Sequence, residues 1–151
     1  LAYSDDKVSF VNLDLLIKQT NLGKVILKDI EKLNKKNILE LKNKENELKN
    51  IEGEIKKKQN IISREEFEKE LAKLKQNIKE FQNLKDKMVS DIEDKKKKDF
   101  KEFFLKINPI IQNYMDDNSI TILLERKNVF MSKNSSDITK NLIDEINKSM
   151  N

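Results

Sequence analysis

Ser63-Arg64-Glu65-Glu66-Phe67-Glu68-Lys69-Glu70-Leu71 decides how this chain folds. A Ser followed three residues later by Glu is a capping box: the hydroxyl accepts the backbone N–H of residue 66, and the Glu66 carboxylate reaches back to the N–H of residue 63. Phe67 and Leu71 then open an apolar row at helical spacing. A helix therefore starts at Ser63, although the Pro-free, charged stretch before it also has helical character. Two long helices separated by a capped start make an antiparallel hairpin with its tip near residues 57–63.

Both sides of the tip carry a seam. Downstream, Phe67, Leu71, Leu74, Ile78, Phe81, Met88 and Ile92 alternate by three and four, with Lys85 breaking the row. Upstream, Leu27, Leu41, Leu48, Ile55 and Ile62 share one seven-residue repeat whose polar member is Asn34. Ile30 and Ile51 widen that stripe, whereas Asn37, Lys44 and Lys58 make its partner positions polar. The coiled-coil pattern is genuine but thin. From Leu22 to about Gln59 there is no Pro, and Gly occurs only at 23 and 53. Helices of roughly forty residues, rising about 1.5 Å per residue, predict an arm about 60 Å long.

The ends of the chain differ in character. Lys7-Val8-Ser9-Phe10-Val11-Asn12 predicts a strand, Leu13 to Gln19 one or two helical turns, and Thr20-Asn21 the cap of the long helix. Lys95-Lys96-Lys97-Lys98 interrupts the returning seam. Apolar spacing resumes in a new phase at Phe100, Phe103, Phe104, Ile107, Ile111 and Tyr114, where the arm joins a packed body. Pro109 removes a backbone donor and predicts a kink over residues 105–108; with the phase break it marks a hinge. Asp116-Asp117-Asn118-Ser119 ends the helix. Ile120 to Glu125 reads as a second strand, Arg126-Lys127-Asn128 as a turn and Val129-Phe130-Met131 as a third strand, together a β-hairpin. Ser135, Ser136 and Asp137 offer caps to a last helix with the stripe Ile138, Leu142, Ile143, Ile146 and Met150.

The predicted architecture is α+β: a small β-strand oligomerisation body from both chain ends, residues 1–22 plus 100–151, and a long antiparallel coiled-coil helical hairpin arm over 23–99. A single core of fewer than about 70 residues is marginal, and open strand edges invite pairing. Both difficulties vanish if several copies share one sheet. Val8, Phe10, Ile120, Ile122 and Leu124 alternate along the strands and are expected to share one buried face that holds the copies together.

Composition narrows the function. The 151 residues include no Cys, His or Trp and two Gly, which excludes Cys- or His-based nucleophiles, His or Cys metal sites and glycine-rich phosphate loops. No enzyme and no cofactor are expected. Net charge is +4 from 31 basic and 27 acidic residues. The stretch Lys24–Lys98 carries +6 and the remainder −2. Lys56, Lys57 and Lys58 near the tip and Lys95, Lys96, Lys97 and Lys98 near the arm base are candidate contacts to anionic surfaces. Arg is scarce and aromatics do not interleave with Lys, so no nucleic acid is expected. No stretch approaches the roughly 20 apolar residues needed to span a bilayer, and Leu1-Ala2 reads as the stub of a cleaved leader.

The order of strand, charged helical hairpin, closing strands and terminal helix resembles the Skp/OmpH family of periplasmic chaperones. Val8-Ser9-Phe10-Val11-Asn12-Leu13-Asp14-Leu15-Leu16 is similar to that family's first strand, and Ser63 to Leu71 to the start of its returning helix. Ile107-Asn108-Pro109-Ile110 occupies the place of a frequent Pro, and Ile120–Glu125, Asn128-Val129-Phe130 and Ser136-Asp137-Ile138-Thr139 are similar to its closing segments. The resemblance implies a homotrimer whose arms enclose a cavity. It implies an ATP-independent holdase for unfolded outer-membrane proteins, located in the periplasm after signal peptide removal. An anionic lipid or lipopolysaccharide surface is a further candidate partner. Within such a holdase, Ile38, Ile61 and Ile62, off the best row or near the tip, are the candidate client contacts. The alternatives are a prefoldin-like cytosolic chaperone subunit, a basic coiled-coil nucleic-acid-binding protein and a structural spacer.

Overall fold

The computed structural model describes residues 5–150, so the Leu1-Ala2 stub lies outside the described residues. The chain up to Asp29 together with the chain from Lys97 onward forms one compact unit, and Ile30–Lys96 forms another.

The terminal unit begins with strand β1, Lys7–Val11. Helix α1, Leu13–Gln19, starts where Asn12 Oδ1 accepts the Leu15 N–H at 3.2 Å. Thr20 then serves two helices. Its hydroxyl donates to the Leu16 carbonyl at 2.6 Å, closing α1, and accepts the Gly23 N–H at 3.1 Å, opening helix α2, Asn21–Lys58. Gly23 lies so close to α1 that a Cβ there would fall on the Ile17 carbonyl. Helix α3 runs without interruption over Arg64–Asp117 and contains Pro109. It ends at the predicted breaker cluster, where Asn118 Nδ2 donates to the Tyr114 carbonyl at 2.9 Å and Ser119 takes a left-handed φ of 53°. Strand β2, Ile120–Glu125, and helix α4, Thr139–Ser149, follow.

The sheet is a parallel pair, β1 with β2, joining segments more than a hundred residues apart. Beneath it lies one core: Val11, Leu16, Phe103, Ile107, Ile120, Ile138, Leu142, Ile143 and Ile146. Phe103 and Phe104 meet edge to face, with ring centroids 5.2 Å apart, the arrangement that aromatic quadrupoles favour. The α4 stripe is buried at Ile138, Leu142, Ile143 and Ile146, while Met150, predicted as its last member, is exposed.

Two sequence expectations need correction here. Val129-Phe130-Met131 is not a strand among the described residues. Arg126–Asn128 forms a 3-10 turn closed by Val129 N–H on the Arg126 carbonyl at 3.0 Å. β2 finds its partner in β1, so no hairpin forms. The second neighbour of β1 is instead Asp137, in a single parallel bridge, with Ile138 N–H donating to the Phe10 carbonyl at 3.1 Å.

In the other unit, α2 and α3 form the antiparallel hairpin. The capping box is in place: Glu66 N–H donates to Ser63 Oγ at 3.2 Å and Ser63 N–H to Glu66 Oε2 at 3.3 Å. Ile30, Ile55, Leu74 and Met88 are buried, and Leu33, Leu41, Leu48, Phe67, Leu71, Phe81, Leu84 and Ile92 are half-buried. The seam passes through Leu33 rather than Asn34, Asn77 rather than Ile78, and Leu84 rather than Lys85, so Lys85 does not break it. On α3 both rows keep a seven-residue step, Phe67, Leu74, Phe81 and Met88 in one and Asn77 and Leu84 in the other, so the second row lies one residue before Ile78 and Lys85.

Candidate functional site

Most of the candidate assembly residues lie on the sheet face turned away from the core. The register pairs Val8 with Ile122, Ser9 with Leu123 and Phe10 with Leu124, but Lys7 with Ile120. Thr121 is therefore an extra residue, a β-bulge, and a bulge re-aims its neighbours. Ile120 joins Val11 in the core, with Leu123 packed against them. The predicted common face of Val8, Phe10, Ile120, Ile122 and Leu124 thus divides. Ile120 is buried on the core side, Phe10 is buried on the other, and Val8, Ile122 and Leu124 remain 41–44% exposed.

Phe10 is covered from within the chain. The Arg126 guanidinium sits 5.7 Å from its ring centroid, a cation–π distance. Arg126 Nη1 lies 3.7 Å from Asp137 Oδ2. Asp137 Oδ1 accepts the Thr139 N–H at 3.0 Å and the Thr139 hydroxyl at 2.6 Å, and Thr139 Oγ1 accepts the Asn12 N–H at 2.9 Å. This chain of contacts fastens residues 10–12 to 126–139. Beside it, a cavity of about 240 Å³ opens among Val8, Phe10, Leu124, Val129 and Met131. Phe130 is 100% and Met131 82% exposed. Reading residues 129–131 as a strand hid this apolar segment; three large apolar residues after a polar turn were its signal.

In the hairpin unit, two cavities of about 390 and 330 Å³ share Ile51 and Asn77 and form one groove between α2 and α3. Its floor is Ile51, Ile55, Leu74, Leu48, Phe81 and Leu84, and Glu47, Glu54, Lys58, Glu70, Lys73 and Glu80 edge it. Of the three isoleucines named from sequence, Ile61 is 79% and Ile38 57% exposed, whereas Ile62 is half-buried. Leu39 and Val89, which the sequence reading passed over, are equally open.

The lysine clusters are less bare than their sequence suggests. Lys56 pairs with Glu52 and Lys57 with Glu54, both at 3.2 Å, and Lys58 with Glu70 across the hairpin at 3.3 Å. Lys96 lies 3.5 Å from Glu93. Lys95 is half-buried, and Lys97 and Lys98 are exposed. Asp91, hydrogen-bonded to Lys87 at 2.6 Å, holds that ammonium above its ordinary pKa. Pro109 sits on the exposed side of α3, one turn after the exposed Leu105, whose carbonyl it cannot serve. No helix among the described residues is long and apolar enough to cross a membrane.

Comparison with known proteins bears on this arrangement. The profile of the outer membrane protein (OmpH-like) family matches residues 7–146. The chain is also similar to the crystal structure of a candidate outer membrane chaperone (OmpH-like) from Caulobacter crescentus CB15. That likeness has a TM-score of 0.88 at 17% identity, over 99% of this chain and 88% of that one. At such identity it speaks for the fold: a long helical hairpin with a small sheet at the chain ends. No curated protein matches.

Proposed function

The chain belongs to the outer membrane protein (OmpH-like) family, and from that premise we propose that it is an ATP-independent periplasmic holdase that keeps unfolded outer-membrane β-barrel proteins from aggregating. The observation that carries the reading is the family match over residues 7–146, nearly the whole chain. The family is not one of enzymes. In this reading three copies join through the exposed face of the sheet, and clients are held between their hairpins.

The surface chemistry supports the reading. A holdase needs many weak contacts in place of one tight site. Ile38, Ile61 and the half-buried Ile62 offer separate apolar contacts on an otherwise charged helical surface, each burying little and so each easily released. Lysines of both clusters add long-range attraction for anionic clients or lipid surfaces, which salt weakens. Ion pairing of Lys56, Lys57 and Lys58 leaves Lys97 and Lys98 as the stronger candidates. Pro109, with its missing hydrogen bond, is where α3 flexes to admit clients of different size.

The test is direct. A urea-unfolded outer-membrane β-barrel protein is diluted without ATP, with and without this chain, and light scattering is followed. Scattering suppressed at stoichiometric chain supports the reading, with weaker suppression by the Ile38→Lys, Ile61→Lys double variant. Unchanged scattering overturns it.

A further inference from the structure

Residues 129–134 run beside the sheet without joining it, and the chain bends at 130–131. Among the described residues, the backbone of Phe130, Met131 and Ser132 makes no hydrogen bond to other backbone. The segment walls a second cavity, of about 260 Å³, with Phe10 and Arg126. Apart from Phe10, no residue lining it belongs to the sheet, so copies that join through Val8, Ile122 and Leu124 do not use it. Phe10, Val129, Phe130 and Met131 give it apolar walls, and Arg126, Ser132 and Asn134 give it polar ones. The charge of the lining is one-sided. Arg126 is the charged residue here and Lys133 that of the adjoining 240 Å³ cavity, whereas the groove of the hairpin mixes Glu with Lys. Arg126 also has donors to spare. Asp137 Oδ2 lies 3.7 Å from its Nη1, beyond hydrogen-bond reach, and Thr139 occupies Asp137 Oδ1.

We infer that this cavity captures the carboxyl terminus of a peptide whose last residue is aromatic. The terminal ring enters among Phe10, Val129, Phe130 and Met131, where ring–ring and thioether–ring contacts are favourable. The terminal carboxylate pairs with the Arg126 guanidinium, whose planar fork matches two carboxylate oxygens. The peptide backbone before it bonds the unpaired groups of residues 130–132. Size and backbone both favour a peptide end over a lipid. A volume of about 260 Å³ exceeds the roughly 150 Å³ that accepts benzene and falls below the roughly 300–1,000 Å³ of drug-sized sites. One residue fits, and a long acyl chain does not. An acyl chain also offers nothing to the unpaired backbone groups. The inference deepens the holdase reading and rests on it only in taking the peptide to be the end of a client; the site itself follows from the lining of the cavity.

A fluorescein-labelled hexapeptide ending in Phe with a free carboxylate tests this, by fluorescence anisotropy on the full chain. It is expected to bind, and its C-terminal amide and a version ending in Ser each to bind about tenfold more weakly, for want of a charge-assisted hydrogen bond or a buried ring. Arg126→Gln is expected to bind acid and amide equally, a loss of preference that general damage to the site would not produce. Phe130→Ala alters a side chain that is wholly in solvent, so the core stays intact. It should weaken the acid several-fold and keep the preference for acid over amide. Circular dichroism verifies folding of both variants. The proposal is overturned by no binding, by wild type taking acid and amide equally, or by Arg126→Gln keeping the preference. Decanoate displacing the probe as well as the unlabelled acid does would mark a lipid site and overturn it too. A bound peptide with client scattering unsuppressed sinks the holdase reading and leaves this site standing; suppressed scattering with no bound peptide does the reverse.

Discussion

The terminal unit and the hairpin unit owe their order to different forces. The terminal unit gathers nine buried apolar residues from five elements into one cluster. Between Ile30 and Lys96, four apolar residues are buried. Order there rests on local rules: a capping box, long Pro-free helices, and surface pairs one turn apart such as Glu31–Lys35 at 2.6 Å, Glu45–Lys49 at 3.2 Å and Glu65–Lys69 at 3.4 Å. Such pairs contribute about 0.3–0.5 kcal/mol each, while a buried large side chain contributes about 1.5–3 kcal/mol. One region is held by long-range burial and the other by short-range helical preference. The second therefore suits a surface that must yield to varied partners.

The largest expected effect tests that contrast. Phe103→Ala removes a ring that is 1% exposed at the centre of the cluster and should cost about 3–5 kcal/mol of apparent stability. Leu74→Ala, at the best-buried point of the α3 seam, should fall at the low end of the range for Leu truncation, about 2 kcal/mol, because the hairpin can close around it. Urea unfolding followed by circular dichroism, at fixed protein concentration, checks both. Equal losses would break the contrast.

The two glycines sharpen it further. Neither has a positive φ, so neither is needed for a turn. Gly23 allows α2 to approach the backbone of α1, and Gly23→Ala would press its Cβ against the Ile17 carbonyl. A loss of about 1–3 kcal/mol is expected, as for overpacking. Around Gly53 nothing lies within 4 Å of an added Cβ. Gly53→Ala should stabilise by about 0.5–1 kcal/mol, the helical preference of Ala over Gly. One substitution with opposite signs in the two regions is the outcome to look for in the same unfolding curves.

What was legible in the sequence follows the same division. The Ser63 capping box, the Thr20 cap, α1 and the breaker cluster before β2 are local signals, and they stand where the spacing put them. The strands were located but not their partners. Parallel pairing of Lys7–Val11 with Ile120–Glu125 leaves no trace at either site, since the energy comes from residues far away in sequence. The bulge at Thr121 arises from that pairing, which is why Ile120 was assigned to the wrong face. Val129-Phe130-Met131 has β-favouring side chains, yet propensity without a partner edge does not make a strand. On the hairpin, the choice of Lys85 over Leu84 came from continuing the step from Leu71 to the apolar Ile78, whereas the second row of α3 passes through the polar Asn77 and then Leu84.

The smallest effect concerns the motif that organises the hairpin. Ser63→Ala deletes the acceptor of the Glu66 N–H and with it one half of the reciprocal pair. Caps of this kind contribute about 1 kcal/mol, and both hydrogen bonds here are exposed and longer than 3 Å, so the loss should lie nearer 0.5 kcal/mol. The decisive readout is where the loss appears. Because the cap acts on the first turn of α3, amide hydrogen exchange should quicken at residues 64–67 and remain unchanged in the cluster around Leu16, Leu142 and Ile146. If protection fell equally in both places, the hairpin and the terminal unit would unfold as one, and local rules would not be what holds the hairpin.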